Sequence, residues 1–170
     1  MKNKINFFID NVPVSGKVGQ TIWQIAKENG KTLPHLCYSD KPGYRADGNC
    51  RACMVSIEGE RVLAASCMRQ PSEGMKVFTE DARSKKSRKM VLELLVTDQP
   101  TQEKSHDPNS HFWQMAEKVD IFKSRFDKKE KNNVPSSDLS HKAMSVNLDA
   151  CIHCNLCVRA CREVQVNDVI

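Results

Sequence analysis

The sequence predicts an α+β fold, and three observations carry that prediction. Its first 80 or so residues alternate β-branched and aromatic runs with turn residues, a single short amphipathic helix interrupts those runs, and long irregular segments hold cysteines instead of a large core. A β-hairpin is expected from Ile5 to Ser15, turning at Asp10-Asn11, because both residue types tolerate the positive φ of a tight turn. The helix is expected over Thr21 to Asn29, with Ile22, Ile25 and Ala26 on one face and Gly30 as its stop. An irregular stretch from Leu33 to Cys53 follows, then a second hairpin turning at Glu58-Gly59-Glu60 and a closing strand over Lys76 to Thr79.

Beyond this unit, Asp81 is placed to cap a helix over residues 82–97 whose inward face would be Met90, Val91, Leu94 and Leu95. Residues 101–140 are polar. One helix is expected around His111 to Ile121, with Phe112 and Trp113 as packing residues, and PSSDLSH (residues 135–141) reads as a linker. The organisation expected is therefore residues 1–80 as one domain, 81–140 as a helical connector, and 141–170 as a short cysteine-bearing segment.

Composition narrows the function. The chain has 170 residues, 39% of them hydrophobic, so its cores are small and another source of stability is needed. Neither a membrane-spanning run nor a signal peptide is legible, and a cytoplasmic location is expected. In such a reducing compartment eight cysteines are not expected to form disulfides, and the C-x2-C spacing among them points to metal or redox chemistry. The formal net charge of +5 is scattered, with local runs at Arg83, Lys85, Lys86, Arg88 and Lys89 and from Lys123 to Lys131. Solvated faces account for both runs as well as a docking surface for an acidic partner subunit does, and a nucleic-acid partner is not expected.

Cys37, Cys50, Cys53 and Cys67 follow the spacing C-x12-C-x2-C-x13-C. One close pair plus two single cysteines suits a 2Fe-2S cluster, in which two iron tetrahedra share bridging sulfides. Gly43 and Gly48 would let backbone approach the cluster, and Ala52 and Ser66 leave room beside the cysteines. A structural zinc site is the competing reading, but zinc ribbons pair two C-x2-C knuckles and only one is present here. Cys151, Cys154, Cys157 and Cys161 read CIHCNLCVRAC, the C-x2-C-x2-C-x3-C run of bacterial ferredoxins, in which three cysteines hold one 4Fe-4S cube and the fourth reaches to another. Arg162 stands where proline usually follows.

The segments PHLCY (34–38), DGNCRACMV (47–55) and LAASC (63–67) resemble the β-grasp 2Fe-2S ferredoxin-like domain that opens the large iron-sulfur subunit of respiratory complex I, of NAD-linked hydrogenases and of NAD-linked formate dehydrogenases. The resemblance implies that Cys37, Cys50, Cys53 and Cys67 are the cluster ligands. Relatives usually continue into H-x3-C-x2-C-x5-C for a 4Fe-4S cluster. Here Gln99-Pro100 follows the helix, and the cysteine positions are Glu103, His106 and Phe112, so that site is not expected to form. His106 and His111 read as solvent-exposed side chains. This loss makes the chain similar to a branch of molybdenum or tungsten formate dehydrogenase large subunits, with a hydrogenase or NADH:quinone oxidoreductase subunit, or a stand-alone carrier, as the alternative.

By that resemblance the chain would relay electrons from formate oxidation toward NAD through a flavin subunit. The pterin centre, the flavin and the NAD would all lie outside these residues, and the chain itself would hold no catalytic group. The 4Fe-4S segment looks incomplete: Cys151, Cys154 and Cys157 need a fourth ligand, Cys161 needs three companions, and all eight cysteines are already assigned. The expectation is a truncated segment, frayed or metal-free after Ala143, whose cubes form only if the chain continues.

Overall fold

The computed structural model describes residues 4–128 and 134–169. They form two compact units, one comprising the described residues up to Arg88 together with those from Asn155 on, the other running from Lys89 to Cys154. The tail of the basic run, up to Lys131, lies partly outside the described residues.

The first unit is a five-stranded mixed sheet. Strands β1 (Lys4–Ile9) and β2 (Val12–Lys17) form the expected hairpin, with Asp10 and Asn11 at φ 50° and 65°, both in the left-handed region that a two-residue turn requires. Strands β3 (Met54–Ile57), β4 (Ala64–Ala65) and β5 (Lys76–Phe78) complete the sheet in the order β2-β1-β5-β3-β4, with β5 parallel to β1 and antiparallel to β3. The closing strand thus lies at the centre, where its Val77 is wholly buried. The second hairpin is looser than expected, since only Met54 and Val55 find partners in Ala65 and Ala64. Residues 58–63 form a wide loop after a tight turn in which Glu60 N–H donates to Ile57 C=O.

Helix α1 (Ile22–Glu28) crosses the sheet as the periodicity demands, burying Ile22, Ile25 and Ala26, and also Trp23. Thr21 and Gln24 close a capping box at its start. Its end is a Schellman turn through Gly30 (φ 76°), with Gly30 N–H donating to Lys27 C=O and Lys31 N–H to Ala26 C=O. Gly16 permits the close approach of helix and sheet, because a Cβ there would lie 2.2 Å from Cδ1 of Ile25. Trp23 Nε1 donates to Leu33 C=O at 3.3 Å, and its ring meets His35 and Tyr38 edge-on, fixing the start of the irregular segment.

Asp10 is more than a turn residue. Its carboxylate accepts from Thr79 N–H and Oγ1 at 2.6 Å each and from Lys31 Nζ at 2.7 Å, tying the hairpin tip to the end of β5. Burial pushes this carboxyl up, but the bonds from Lys31 and Thr79 outweigh it and hold it below its ordinary value. A lowered folded pKa stabilises the fold above the unfolded value of about 3.9, and the contribution is lost as pH falls below that. Asp10→Asn keeps the turn conformation and removes the charge. It is expected to cost about 1–2 kcal/mol at neutral pH, with the gap from wild type closing as pH is lowered below about 3.9. Urea titrations at a series of pH values measure it, and a gap independent of pH would contradict it.

Helix α2 (Ala82–Asp98) starts as expected, with Asp81 Oδ2 accepting from Ser84 N–H at 3.3 Å and Arg83 N–H at 3.2 Å. Its inward face differs from expectation. The buried stripe is Ser84, Arg88, Leu92, Val96 and then Gln99, with Glu93 also buried, while Leu94 is half exposed and Met90, Val91 and Leu95 are only partly covered. The apolar residues counted as a core face flank a stripe that begins with polar groups. Arg88, assigned to a solvated run, is buried. Its Nη1 donates to Met54 C=O at 3.2 Å and its Nη2 to Thr79 C=O at 2.5 Å.

The second unit contains the rest of α2 and helix α3 (His111–Lys118), which buries Phe112, Trp113, Met115 and Ala116. Glu93 pairs with Arg125 at 3.3 Å and also accepts from its backbone N–H. The stretch expected as a linker holds a strand: β6 (Asp138–His141) pairs with β7 (Met144–Val146) across a bulge, both wholly exposed. The segment after Ala143 is not frayed. A 3-10 turn (Leu148–Ala150), helix α4 (Leu156–Arg159) and a π-helical turn (Ala160–Val164) follow in order. Among the described residues no helix is long and apolar enough to cross a membrane.

Candidate metal centre

The first four cysteines arrive from three places. Cys37 lies in the irregular segment after α1, Cys50 and Cys53 in the loop entering β3, and Cys67 just after β4. Cys37, Cys53 and Cys67 are at most 1% exposed, and Cys50 is half-buried. All four are free thiols arranged as two pairs, Cys37 with Cys50 and Cys53 with Cys67, each joined by a thiol-to-thiolate hydrogen bond.

The charge distribution follows from that pairing. The bond from Cys37 lowers Cys50 to about 5, and the bond from Cys67 lowers Cys53 to about 7, while Cys37 and Cys67 are pushed up by the thiolates they serve and by burial. Backbone N–H groups aim at the same sulfurs: Cys37 N–H and Ala52 N–H at Cys50 Sγ, both 3.5 Å, and Cys50 N–H at Cys37 Sγ, 3.4 Å.

The local sequence explains how the loop wraps. Gly48 has φ 64°, and a Cβ there would lie 2.1 Å from Met68 Sδ, while Arg51, between the two close cysteines, also takes a positive φ of 57°. Ser66, read from sequence only as a small neighbour, donates its hydroxyl to Cys53 C=O at 2.7 Å and so ties the two halves of one pair. Two dithiol pairs, each able to hold one iron, fit a binuclear cluster. Among the described residues no group of three or more His, Cys, Asp or Glu side chains is arranged to hold a metal ion.

In the second run Cys151 and Cys157 are exposed and Cys154 and Cys161 partly buried. His153 and Asn155, at φ 52° and 60°, bend the chain between successive cysteines. His153 N–H points at Cys151 Sγ (3.4 Å) and Val169 N–H at Cys161 Sγ (3.3 Å). Where relatives of the resembled type carry a histidine and three cysteines, Gln99 and Phe112 are buried, and Glu103, His106 and the neighbouring His111 are exposed.

Sequence reasoning passed over Arg159. It is buried inside the second cysteine run, and its Nη2 donates to the carbonyl of Cys37, 122 residues away. No local signal marks such a residue, because its partner is a backbone group.

The fold and the paired thiols define a 2Fe-2S ferredoxin-like protein, and residues 2–82 match the family described as a 2Fe-2S iron-sulfur cluster binding domain. Over most of its length the chain is similar to the 75/78 kDa subunit of NADH-quinone oxidoreductase and to hydrogenase subunits. It is 29% identical over 163 residues to the mitochondrial NADH-ubiquinone oxidoreductase 78 kDa subunit of Candida albicans, covering 95% of this chain and 22% of that one. It is 32% identical over 169 residues to the NADP-reducing hydrogenase subunit HndD of Solidesulfovibrio fructosivorans, covering 95% of this chain and 28% of the relative. A crystal structure of NAD+-reducing NiFe-hydrogenase in the H2-reduced state superposes with a TM-score of 0.81 at 28% identity, over 96% of this chain and 68% of that one. The chain therefore spans only about a quarter of the length of these two curated relatives.

Proposed function

We propose that this chain is an iron-sulfur electron-transfer portion of an NAD-linked oxidoreductase, with Cys37, Cys50, Cys53 and Cys67 as ligands of a 2Fe-2S cluster. The observation that carries the reading is the gathering of four cysteines from three chain segments, three of them buried, with backbone N–H groups aimed at the sulfurs of Cys37 and Cys50. A 2Fe-2S cluster held there supplies reversible one-electron transfer without making or breaking substrate bonds. The chain's residues supply the rest. Cys37, Cys50, Cys53 and Cys67 would hold the cluster, the N–H groups of Cys37, Cys50 and Ala52 favour thiolate over thiol at Cys50 and Cys37, and burial keeps water from three of the four sulfurs. In the same reading Cys151, Cys154 and Cys157 contribute to one 4Fe-4S cube and Cys161 to another, each completed by ligands outside these residues.

Formate as the electron source is the more particular proposal, resting on Gln99, Glu103, His106 and Phe112 where related subunits carry a histidine and three cysteines. A hydrogenase or NADH:quinone oxidoreductase subunit is the second reading, favoured by the names of the relatives. Anaerobic purification of the full chain tests the common part: iron and acid-labile sulfide in the ratio of a 2Fe-2S cluster, with a one-electron paramagnetic signal on reduction, is expected, and a colourless zinc protein would sink it. Sequence beyond Ile170 separates the particular readings. A second C-x2-C-x2-C-x3-C run followed by a pterin-binding domain supports formate, and its absence favours the alternative.

A further inference from the structure

We propose that Arg159 is a positioning residue of the 2Fe-2S site, reaching from inside the second cysteine run to fix the Cys37 loop and to set a buried positive charge beside it. This rests on the ligation proposed above.

Arg159 lies between Cys157 and Cys161 at the end of α4 and is 3% exposed. Its Nη1 donates to Arg45 C=O at 2.6 Å, its Nη2 to Cys37 C=O, and its Nε stands 3.8 Å from Asp47 Oδ2. The same stretch of chain is tied a second time, through Arg45 Nε to Glu163 Oε1 at 2.9 Å, and Val164 packs so closely on Gly43 that a Cβ there would meet Val164 Cγ2 at 3.3 Å. Cys37 is therefore held on both sides, its N–H directed at Cys50 Sγ and its C=O taken by Arg159.

A guanidinium stays charged at any relevant pH, and burying it is costly unless dipoles and counter-charges surround it. Two carbonyl dipoles and a carboxylate at 3.8 Å are among the groups that offset that cost. Reducing a 2Fe-2S cluster adds one electron and therefore one negative charge. A cation buried against the ligand loop stabilises the reduced form more than the oxidised one, and it acts strongly because little water screens it. A residue of the second cysteine run thereby raises the affinity of the first site for its electron.

The test is a dithionite titration of the full chain, purified anaerobically and followed by the paramagnetic signal of the reduced 2Fe-2S cluster. Arg159→Met is expected to lower the midpoint so that about tenfold less cluster is reduced at the wild-type midpoint, a shift of about 59 mV for one electron. Arg159→Lys restores the charge without the fork and is expected to recover at least half of that shift. Asp47→Asn is expected to move the midpoint the other way. A purely structural clamp would reduce cluster content yet leave the potential of loaded molecules unchanged, so an Arg159→Met protein that loads its cluster at the wild-type midpoint overturns the proposal. If Arg159→Met does not load, Asp47→Asn decides: a raised midpoint supports the proposal, and an unchanged or lowered one overturns it. A wild-type chain without any 2Fe-2S signal would overturn the ligation itself, a result distinguishable from every outcome above.

Discussion

Serine in place of Cys53 is expected to abolish the 2Fe-2S signal altogether, whereas serine in place of Cys151 leaves it at full strength. The contrast follows from environment. Cys53 is 1% exposed and forms one half of the thiol pair with Cys67, so its loss leaves one iron position with a single thiolate. A serine hydroxyl has little tendency to ionise there, and its shorter bonds do not reach where the sulfur sat. Cys151 is exposed and belongs to the other run. Loss of the cluster also removes a group that binds only the folded chain, so the Cys53→Ser protein should melt well below wild type while Cys151→Ser does not. Iron and sulfide content, visible absorbance and thermal melts of the three proteins measure this. A Cys53→Ser protein that keeps its 2Fe-2S signal, or a Cys151→Ser protein that loses it, would refute the division into two independent groups.

Arg88→Met is expected to cost about 3–5 kcal/mol of stability, the second largest effect, although no apolar contact is designed away. The guanidinium is 4% exposed and satisfies two carbonyls, of Met54 at the start of β3 and of Thr79 at the end of β5. Methionine fills much of the space but offers no donor, and each buried carbonyl left unmatched costs about 1–3 kcal/mol. Because Met54 follows Cys53 directly, the variant should also loosen the cluster loop and lower iron retention. Denaturant titration decides it: a midpoint shift equivalent to less than about 1 kcal/mol at unchanged slope would show that the strand ends find other donors.

Much of the first unit was legible because its signals are local. The Asp10-Asn11 turn, the Ile22, Ile25 and Ala26 face, the Gly30 stop and the Asp81 cap each depend on residues within a few positions of one another, where sterics and short hydrogen bonds leave few alternatives. The face of α2 was misread for the converse reason. Periodicity assigns apolar residues inward, but Ser84 and Arg88 are drawn in by carbonyls and hydroxyls of distant strands, and Leu94 is turned out as a result. The hairpin over β6 and β7 escaped notice because neither strand buries a face and the alternation that marks a strand is missing.

For the site, the cysteine spacing divided the eight thiols four and four, and the family resemblance proposed the first four as cluster ligands, since iron coordination chemistry admits few arrangements of one close pair and two single residues. The tertiary structure decided which thiol faces which, that Cys50 and Cys53 carry the lowered values, and that Arg159 reaches Cys37 from the far end of the chain. Ligand identity is written in side-chain chemistry and can be read residue by residue. Pairing, desolvation and the field from a buried charge depend on distances between segments, and those exist only once the chain has folded.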